Sequence, residues 1–493
     1  MLGKHPRITA LVNILSVCVL VLGLATVVAA KKPRKKSKKQ KETAEQKEER
    51  IRQETLQRAI LMSLSASRPD GLSGGVSVNP GQQTTTTANS GSGGQAQFVA
   101  DTELRAPGVV PSVAMAGQLV ISQFRVRGPS GANDEFIEIA NVSGAAHTVA
   151  DSGAGTGYAI AASDGVARCV IPNGTVIPNK GHWLCVNSVA YSLASYPAGN
   201  GTTATGDATY TTDIPDNAGI ALFNTSVAAN FTLANRLDAV GSVSEANTLY
   251  KEGTGYPALV PFSIDYAFYR DNCGKGGSIT TPGPCPTGGL LKNTNNNAAD
   301  FVFVDTNGTS AGAGQRLGAP GPQNLFSPIE RNFSIANTLL DPCAASNSPP
   351  NQVRDFTSDP ANNSTFGTLD IRRTFTNNTG GNVTRLRFRI ADLTTFPAPA
   401  GVADLRPRTS TAVVVTVDRP PCGVGTSNIT VQGTTLEQPP SQPNGGGFNS
   451  TMSAGTVTLG TPLANGASVD LRFLLGLQQT GTFRIFVNIE ALP

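Results

Sequence analysis

From residue 116 to its C-terminus the chain is a succession of short apolar runs, each cut off by Gly, Asn or Pro. "QLVISQFRVR" (118–127), "EFIEIAN" (135–141), "ARCVI" (167–171), "HWLCVNS" (182–188), "GIALFN" (219–224), "RLDAVG" (236–241), "SIDYAFYR" (263–270) and "DFVFVD" (300–305) set the pattern. Runs this short, rich in β-branched and aromatic residues, exclude a helical bundle and predict β-sandwiches or a barrel. The 53 Gly and 33 Pro supply the turns. Spacing is uneven, so long loops are expected at 189–217 and 270–299.

"LGAPGPQNLFSP" (317–328) reads as an exit linker, and strands resume beyond it. In "VTRLRFRIAD" (383–392), Leu386, Phe388 and Ile390 alternate with Arg385, Arg387 and Arg389. "SVDLRFLLGL" (468–477) and "TFRIFVNIE" (482–490) alternate too, with Phe483, Ile485, Val487 and Ile489 predicted to point inward. Period-two alternation implies antiparallel sheets with one solvated face. The fold class read here is mainly β: two β-sandwich domains, 116–328 and 329–493.

Three different segments precede them. Lys4 and Arg7 stand before an almost unbroken apolar run that ends at Val28-Ala29-Ala30. This reads as a signal peptide, or a retained membrane anchor, over 1–30. Residues 31–67 form a basic tract and a helix. The tract carries Lys31, Lys32, Arg34, Lys35, Lys36, Lys38, Lys39 and Lys41. Such a run attracts polyanions by charge alone, whether membrane phospholipid or anionic wall polymer. It has no aromatic residue, so specific nucleic-acid binding is not implied. The helix is read over 42–67, where Ala, Glu, Gln, Lys and Arg dominate. Residues 68–115 are a Gly/Ser/Thr/Gln-rich flexible linker.

Beyond Cys18 there are six cysteines: Cys169, Cys185, Cys273, Cys285, Cys343 and Cys422. None forms a C-x-x-C pair, so zinc ribbons and thioredoxin-like sites are not indicated. Fifteen pairings are open. Sequential pairing suits the close spacing of the first two pairs and would close the second sandwich with the third. An oxidising, extracytoplasmic compartment follows as the expectation.

"GANDEFIEIANVSG" (131–144) brings Asp134, Glu135 and Glu138 together in sequence. On an extended strand Glu135 and Glu138 face opposite ways, so they do not converge on one ion. A Gly-rich turn at Asp134 and a solvated strand are expected. Asp305, Asn307 and Gly308 resemble half of a calcium loop, but its closing Glu is missing. Asn-Gly is also a hairpin signal. Calcium is therefore a weak candidate, and no other cofactor is indicated. His182 and Trp183 read as structural. No G-x-S-x-G elbow accompanies His182, and Trp183 is the chain's one Trp, expected between sheets. The Arg385, Arg387 and Arg389 row is expected on a solvated sheet face.

"VISQFRVRGPSGANDEFIEIANVSG" (120–144) resembles the lamin-tail domain, an immunoglobulin-like sandwich. "VIPNKGHWLCVN" (176–187) is similar to that family's aliphatic–Pro–Gly segment and the strand after it. "DIPDNAGIALFN" (213–224) with "NRLDAVG" (235–241) resembles its later hairpin. "NNNAADFVFVDTNGT" (295–309) and "GAPGPQNL" (318–325) resemble its closing strand and exit. The resemblance spans residues 118–325 and implies an interaction module without shared catalytic residues. The chain lacks the long rod of nuclear lamins, so nuclear binding is not implied.

The expected function is that of a non-enzymatic secreted or cell-surface protein, its sandwiches binding a protein or glycan. One alternative is a metal-dependent hydrolase, or an accessory domain of one, with its site in the 189–217 or 270–299 insertions. Another is polyanion binding through 31–41.

Overall fold

The computed structural model describes residues 86–88, 113–196, 204–260, 264–272, 291–309, 311–437 and 442–492. The signal or anchor segment, the basic tract and the 42–67 helix lie outside these residues. Among the described residues no helix is long and apolar enough to cross a membrane. Residues 78–493 form one compact unit. Within the segment read as a linker, strand β1 (Thr86–Ala88) runs antiparallel to the last strand of the chain.

The protein is mainly β. Its first lobe is a sandwich. Strands β2 (Leu119–Arg125), β3 (Phe136–Asn141), β8 (His182–Asn187), β9 (Ala208–Tyr210), β12 (Tyr266–Arg270) and β13 (Phe301–Asp305) form a six-stranded sheet, in the order β13-β12-β2-β3-β8-β9. Its ladders are antiparallel except the parallel β8–β9 pair. Against it lie β5 (Gly157–Ala162), β6 (Ala167–Pro172), β10 (Ile220–Phe223) and β11 (Arg236–Val240), in the order β11-β10-β5-β6. Two-residue strands β4 (His147–Thr148) and β7 (Val176–Ile177) pair beside them.

Inward residues alternate as a pleat requires. Ile137 and Ile139 from β3, Trp183 from β8, and Tyr266 and Phe268 from β12 meet Tyr158, Ile160, Ile220 and Leu222 of the other sheet. Trp183 sits in this core, as its sequence context predicts. A disulfide joins Cys169 on β6 to Cys185 on β8 and so ties the two sheets together. Four strands of this lobe are missing from the sequence reading: the short β4, β7 and β9, and the six-residue β5. "GYAIAA" is half alanine, which has little strand preference.

The second lobe holds β14 (Ile329–Glu330), β15 (Ile335–Leu339), β16 (Gln352–Asp355), β17 (Thr368–Asn377), β18 (Arg385–Leu393) and β19 (Asp404–Arg408). They are followed by β20 (Val413–Asp418), β21 (Thr426–Val431), β22 (Thr435–Glu437), β23 (Thr451–Ser453), β24 (Ser468–Gln479) and β25 (Phe483–Leu492). One sheet runs β1-β25-β18-β23-β22 with β14 on β25. The other runs β15-β17-β24-β19 with β16 on β17. Phe375, Phe388 and Phe473 meet between them, with Phe388 and Phe473 edge to face at 4.8 Å. The β20–β21 ribbon stands apart, and Cys343–Cys422 fixes its end. Both disulfides agree with sequential pairing. Cys273 and Cys285 lie outside the described residues.

The exit-linker reading of 317–328 is corrected by burial. Leu317 to Asn324 is buried without interruption. The segment is a strap wedged between lobes that share a core. Phe136, Leu184, Val186, Tyr269 and Val304, from the outer face of the first lobe's six-stranded sheet, join the cluster built on Phe375, Phe388 and Phe473.

Candidate functional site: a polar cleft between the lobes

The pleat that sends Ile137 and Ile139 inward sends Phe136, Glu138 and Ala140 to the outer face of the first lobe. That face is covered rather than solvated. Glu138 is 2 % exposed, and Asp134 and Glu135 are fully buried. The solvated-strand expectation fails because alternation reveals a polar face and not what lies over it. The covering surface is the Arg row of β18. Arg387 and Arg389 are buried too, while Arg385 is partly exposed, so the predicted solvated face is also corrected.

Glu490 on β25 lies directly across the ladder from Arg387. It accepts from the Nε atoms of both Arg387 and Arg389, the latter at 2.6 Å. Burial alone would raise the Glu490 carboxyl, but the two guanidiniums outweigh it and hold it below the ordinary value. Burial would likewise lower Arg389, and Glu490 more than reverses this. Arg389 Nη1 also donates to Asn449 Oδ1 at 2.6 Å and to the Gly321 carbonyl at 3.2 Å. Gly321 lets the guanidinium lie this close, since a Cβ would stand 2.5 Å from that Nη1 and push it aside.

Across from Arg389, Glu138 accepts from Ser122 Oγ at 2.5 Å and from the Gln323 backbone N–H of the strap at 2.6 Å. Burial pushes its carboxyl up to about 7, with Ser122, Arg389 and Gln323 pulling the other way. His182 Nε2 stands 3.7 Å from Glu138 Oε1. Burial drives this imidazole down to about 3, so it is neutral at physiological pH. The remaining gap is a cleft of about 70 Å³ walled by both lobes and the strap. At its side Lys180 pairs with Glu330 at 3.2 Å.

The other two acids go elsewhere. Asp134 pairs with buried Arg125 and accepts from the Ser192 backbone N–H at 2.9 Å. Glu135 accepts from Asn187 Nδ2 at 2.7 Å and from the Ile214 N–H at 2.8 Å, and burial pushes it up to about 8. The three carboxylates thus serve three separate networks. Asp305 accepts from the Asn307 and Thr309 N–H groups at 2.8 and 3.0 Å, a turn-closing role. Among the described residues, no three or more His, Cys, Asp or Glu side chains gather to hold a metal ion. The polyanion-binding candidates Lys31 to Lys41 lie outside the described residues.

Sequence reasoning missed Glu490 and Gln323 as partners of Arg389 and Glu138. The only trace was compositional: "FVNIE" ends a strand with one acid, opposite a strand bearing three arginines.

Glu135, Glu138 and Glu252, the last also raised to about 8 by burial, have folded values above the ordinary 4.5. The folded state therefore holds protons that the unfolded chain has already released. Their stabilisation is complete below about pH 4.5 and is lost as pH rises to about 8. His182 works oppositely: its contribution is present above about 6.5 and is lost as pH falls toward 3. The melting temperature should thus fall by on the order of ten degrees from pH 6.5 to 8.5, at about 1.4 kcal/mol per unit of pH for each group and roughly 2–4 °C per kcal/mol. Glu138→Gln should flatten the part of that slope below about pH 7.5. A flat or rising wild-type profile in calorimetry would contradict this assignment.

No protein-family model matches the chain, and no curated protein or solved structure matches it.

Proposed function

We propose that the chain is an exported, non-enzymatic surface protein whose two lobes act as one rigid binding or scaffolding body. The first lobe is read as a lamin-tail-type sandwich. The observation that carries the proposal is the use made of the acidic side chains. Glu138 ties the first lobe to the strap, Glu490 holds the arginine row of the second lobe that covers it, and Asp134 and Glu135 brace loops within the first lobe. None of the four serves a metal cluster among the described residues. The Cys169–Cys185 and Cys343–Cys422 bridges suit an oxidising exterior. In this reading the N-terminal segment directs export, and the basic tract rests on an anionic membrane or wall polymer. The body presents its loops to a protein or glycan.

Cell fractionation with thiol labelling tests the proposal. The mature protein should appear outside the cytoplasm, with Cys169, Cys185, Cys343 and Cys422 resistant to alkylation until reductant is added. A cytosolic protein with free thiols would overturn it.

A further inference from the structure

The walls of the interlobe cleft have an uneven hydrogen-bond balance. Three of its lining residues carry a buried polar atom without a hydrogen-bond partner: Arg389 Nη2, Asn272 Nδ2 and His182 Nδ1. All three atoms are nitrogens. Among the described residues, no oxygen on the cleft wall is left in that state. Arg389 and Asn272 are each more than nine-tenths buried. They come from different lobes, Arg389 on β18 and Asn272 just after β12. Nη2 can only donate, the Asn272 amide nitrogen can only donate, and neutral His182 donates in the tautomer with its proton on Nδ1. Leaving a buried donor unpaired costs about 1–3 kcal/mol. The cleft therefore lacks acceptors.

We propose that the interlobe cleft is a binding site for a carboxylate group of a small ligand, held by Arg389, Asn272 and His182. A carboxylate brings two acceptor oxygens, which can take the charged Nη2 donor of Arg389 and the neutral donors beside it. A cleft volume of about 70 Å³ admits such a head group. The proposal rests on reading the body as a binding module, and it names the chemistry that module takes.

Glu138 sets the pH dependence. It faces the cleft from β3, with Ser122 and Gln123 beside it on β2, His182 on β8 and Tyr269 on β12. Arg389 on β18, Glu490 on β25 and the Lys180–Glu330 pair complete its charged surroundings. Glu490 is neutralised by Arg387 and Arg389, and Glu330 by Lys180. Glu138 is left as the acid whose ionisation would repel an entering carboxylate.

Sodium acetate is the probe, titrated into the full-length mature protein and followed by calorimetry and by NMR of the His182 ring. Sodium chloride at matched ionic strength and neutral acetamide are the controls. Acetate should bind saturably, one per chain, at pH 6, and acetamide should not. Binding should weaken severalfold between pH 6 and 8, and Glu138→Gln should remove that loss. Asn272→Asp, which keeps the side-chain shape, should weaken acetate at least tenfold. Absence of saturable acetate binding by the wild type would overturn the proposal without any variant, leaving a cleft that holds ordered water only. Equal affinity for acetamide, or unchanged affinity in a folded Asn272→Asp protein, would overturn it as well. Failure here leaves export and oxidised cysteines untouched, so it is distinguishable from failure of the exported-module reading.

Discussion

Replacing Glu490 by alanine should lower the unfolding free energy by about 3–5 kcal/mol, the usual cost of removing one partner from a buried ion pair. The site makes this a damaging charge deletion. Glu490 accepts from two guanidiniums at once, and both are within a few per cent of complete burial. Without it, Arg387 retains only Glu437 at 3.9 Å. Arg389 retains amide and carbonyl oxygens and the distant, partly protonated Glu138. Two nearly uncompensated charges would then sit between sheets that exclude water. The lobes should loosen first at this seam, because the strap contacts of Gly321 and Gln323 depend on Arg389 and Glu138 holding position. Denaturant unfolding followed by Trp183 fluorescence would measure the loss. A triple replacement, Arg387→Met with Arg389→Met and Glu490→Leu, separates charge from shape. Well-packed apolar substitutes for a buried ionic triad are often neutral or stabilising by about 1–4 kcal/mol. If Glu490→Ala costs less than about 1 kcal/mol, the seam is wet enough to solvate both arginines, and the description of it as buried is wrong.

That seam also marks where sequence ceases to be informative. Alternation in "VTRLRFRIAD" identifies β18 and its apolar face, because Leu386, Phe388 and Ile390 have one place to go. It says equally clearly that the arginines share the other face. Whether that face meets water depends on a partner 101 residues further along the chain and on a sheet from the other lobe. Nothing local encodes such a meeting. The same holds for Glu138. Its odd spacing from Glu135 correctly separates the two side chains, yet both are buried, each in a different network. The strap is the converse case. "LGAPGPQNL" has the Gly and Pro of a linker, but those residues also let a chain lie flat between two sheets, as Gly321 does beneath Arg389. Cysteine spacing was more telling, because a pair closing a short loop leaves few geometric alternatives.

Removing the Cys343–Cys422 bridge should cost the protein about 4.5 kcal/mol on the chain-entropy account, against about 3 kcal/mol for Cys169–Cys185. The difference comes from loop length: the pairs are separated by 79 and 16 residues. Burial ranks the two the other way. Cys169 and Cys185 lie in the core of the first sandwich, whereas Cys422 is exposed and Cys343 half-buried. A reductant acting on the folded protein should therefore open Cys343–Cys422 first, since exchange requires access to a sulfur. The consequence is set by the ribbon that this bridge holds. Strands β20 and β21 pair only with each other in a ladder, and their own cluster consists of Leu340, Val417 and Val431 with Val413, Val415 and Ile429 partly covered. A two-stranded ribbon is marginal by itself in water. Besides Leu340, its remaining anchors are polar: the Asp418 N–H donates to Asp341 Oδ2 at 2.7 Å, Arg419 pairs with Asp470 at 3.0 Å, and just past β21 the Gln432 N–H donates to the Asp470 carbonyl at 2.8 Å. In a Cys343→Ser, Cys422→Ser protein the ribbon should exchange its amide hydrogens faster than the rest of the lobe, and global unfolding should shift by most of the expected amount. Two results would separate the possibilities. A full loss near 4.5 kcal/mol means the ribbon folds together with the second sandwich. A loss below about 1 kcal/mol, with fast exchange confined to 413–431, means the ribbon frays alone and the long loop was never coupled to the core.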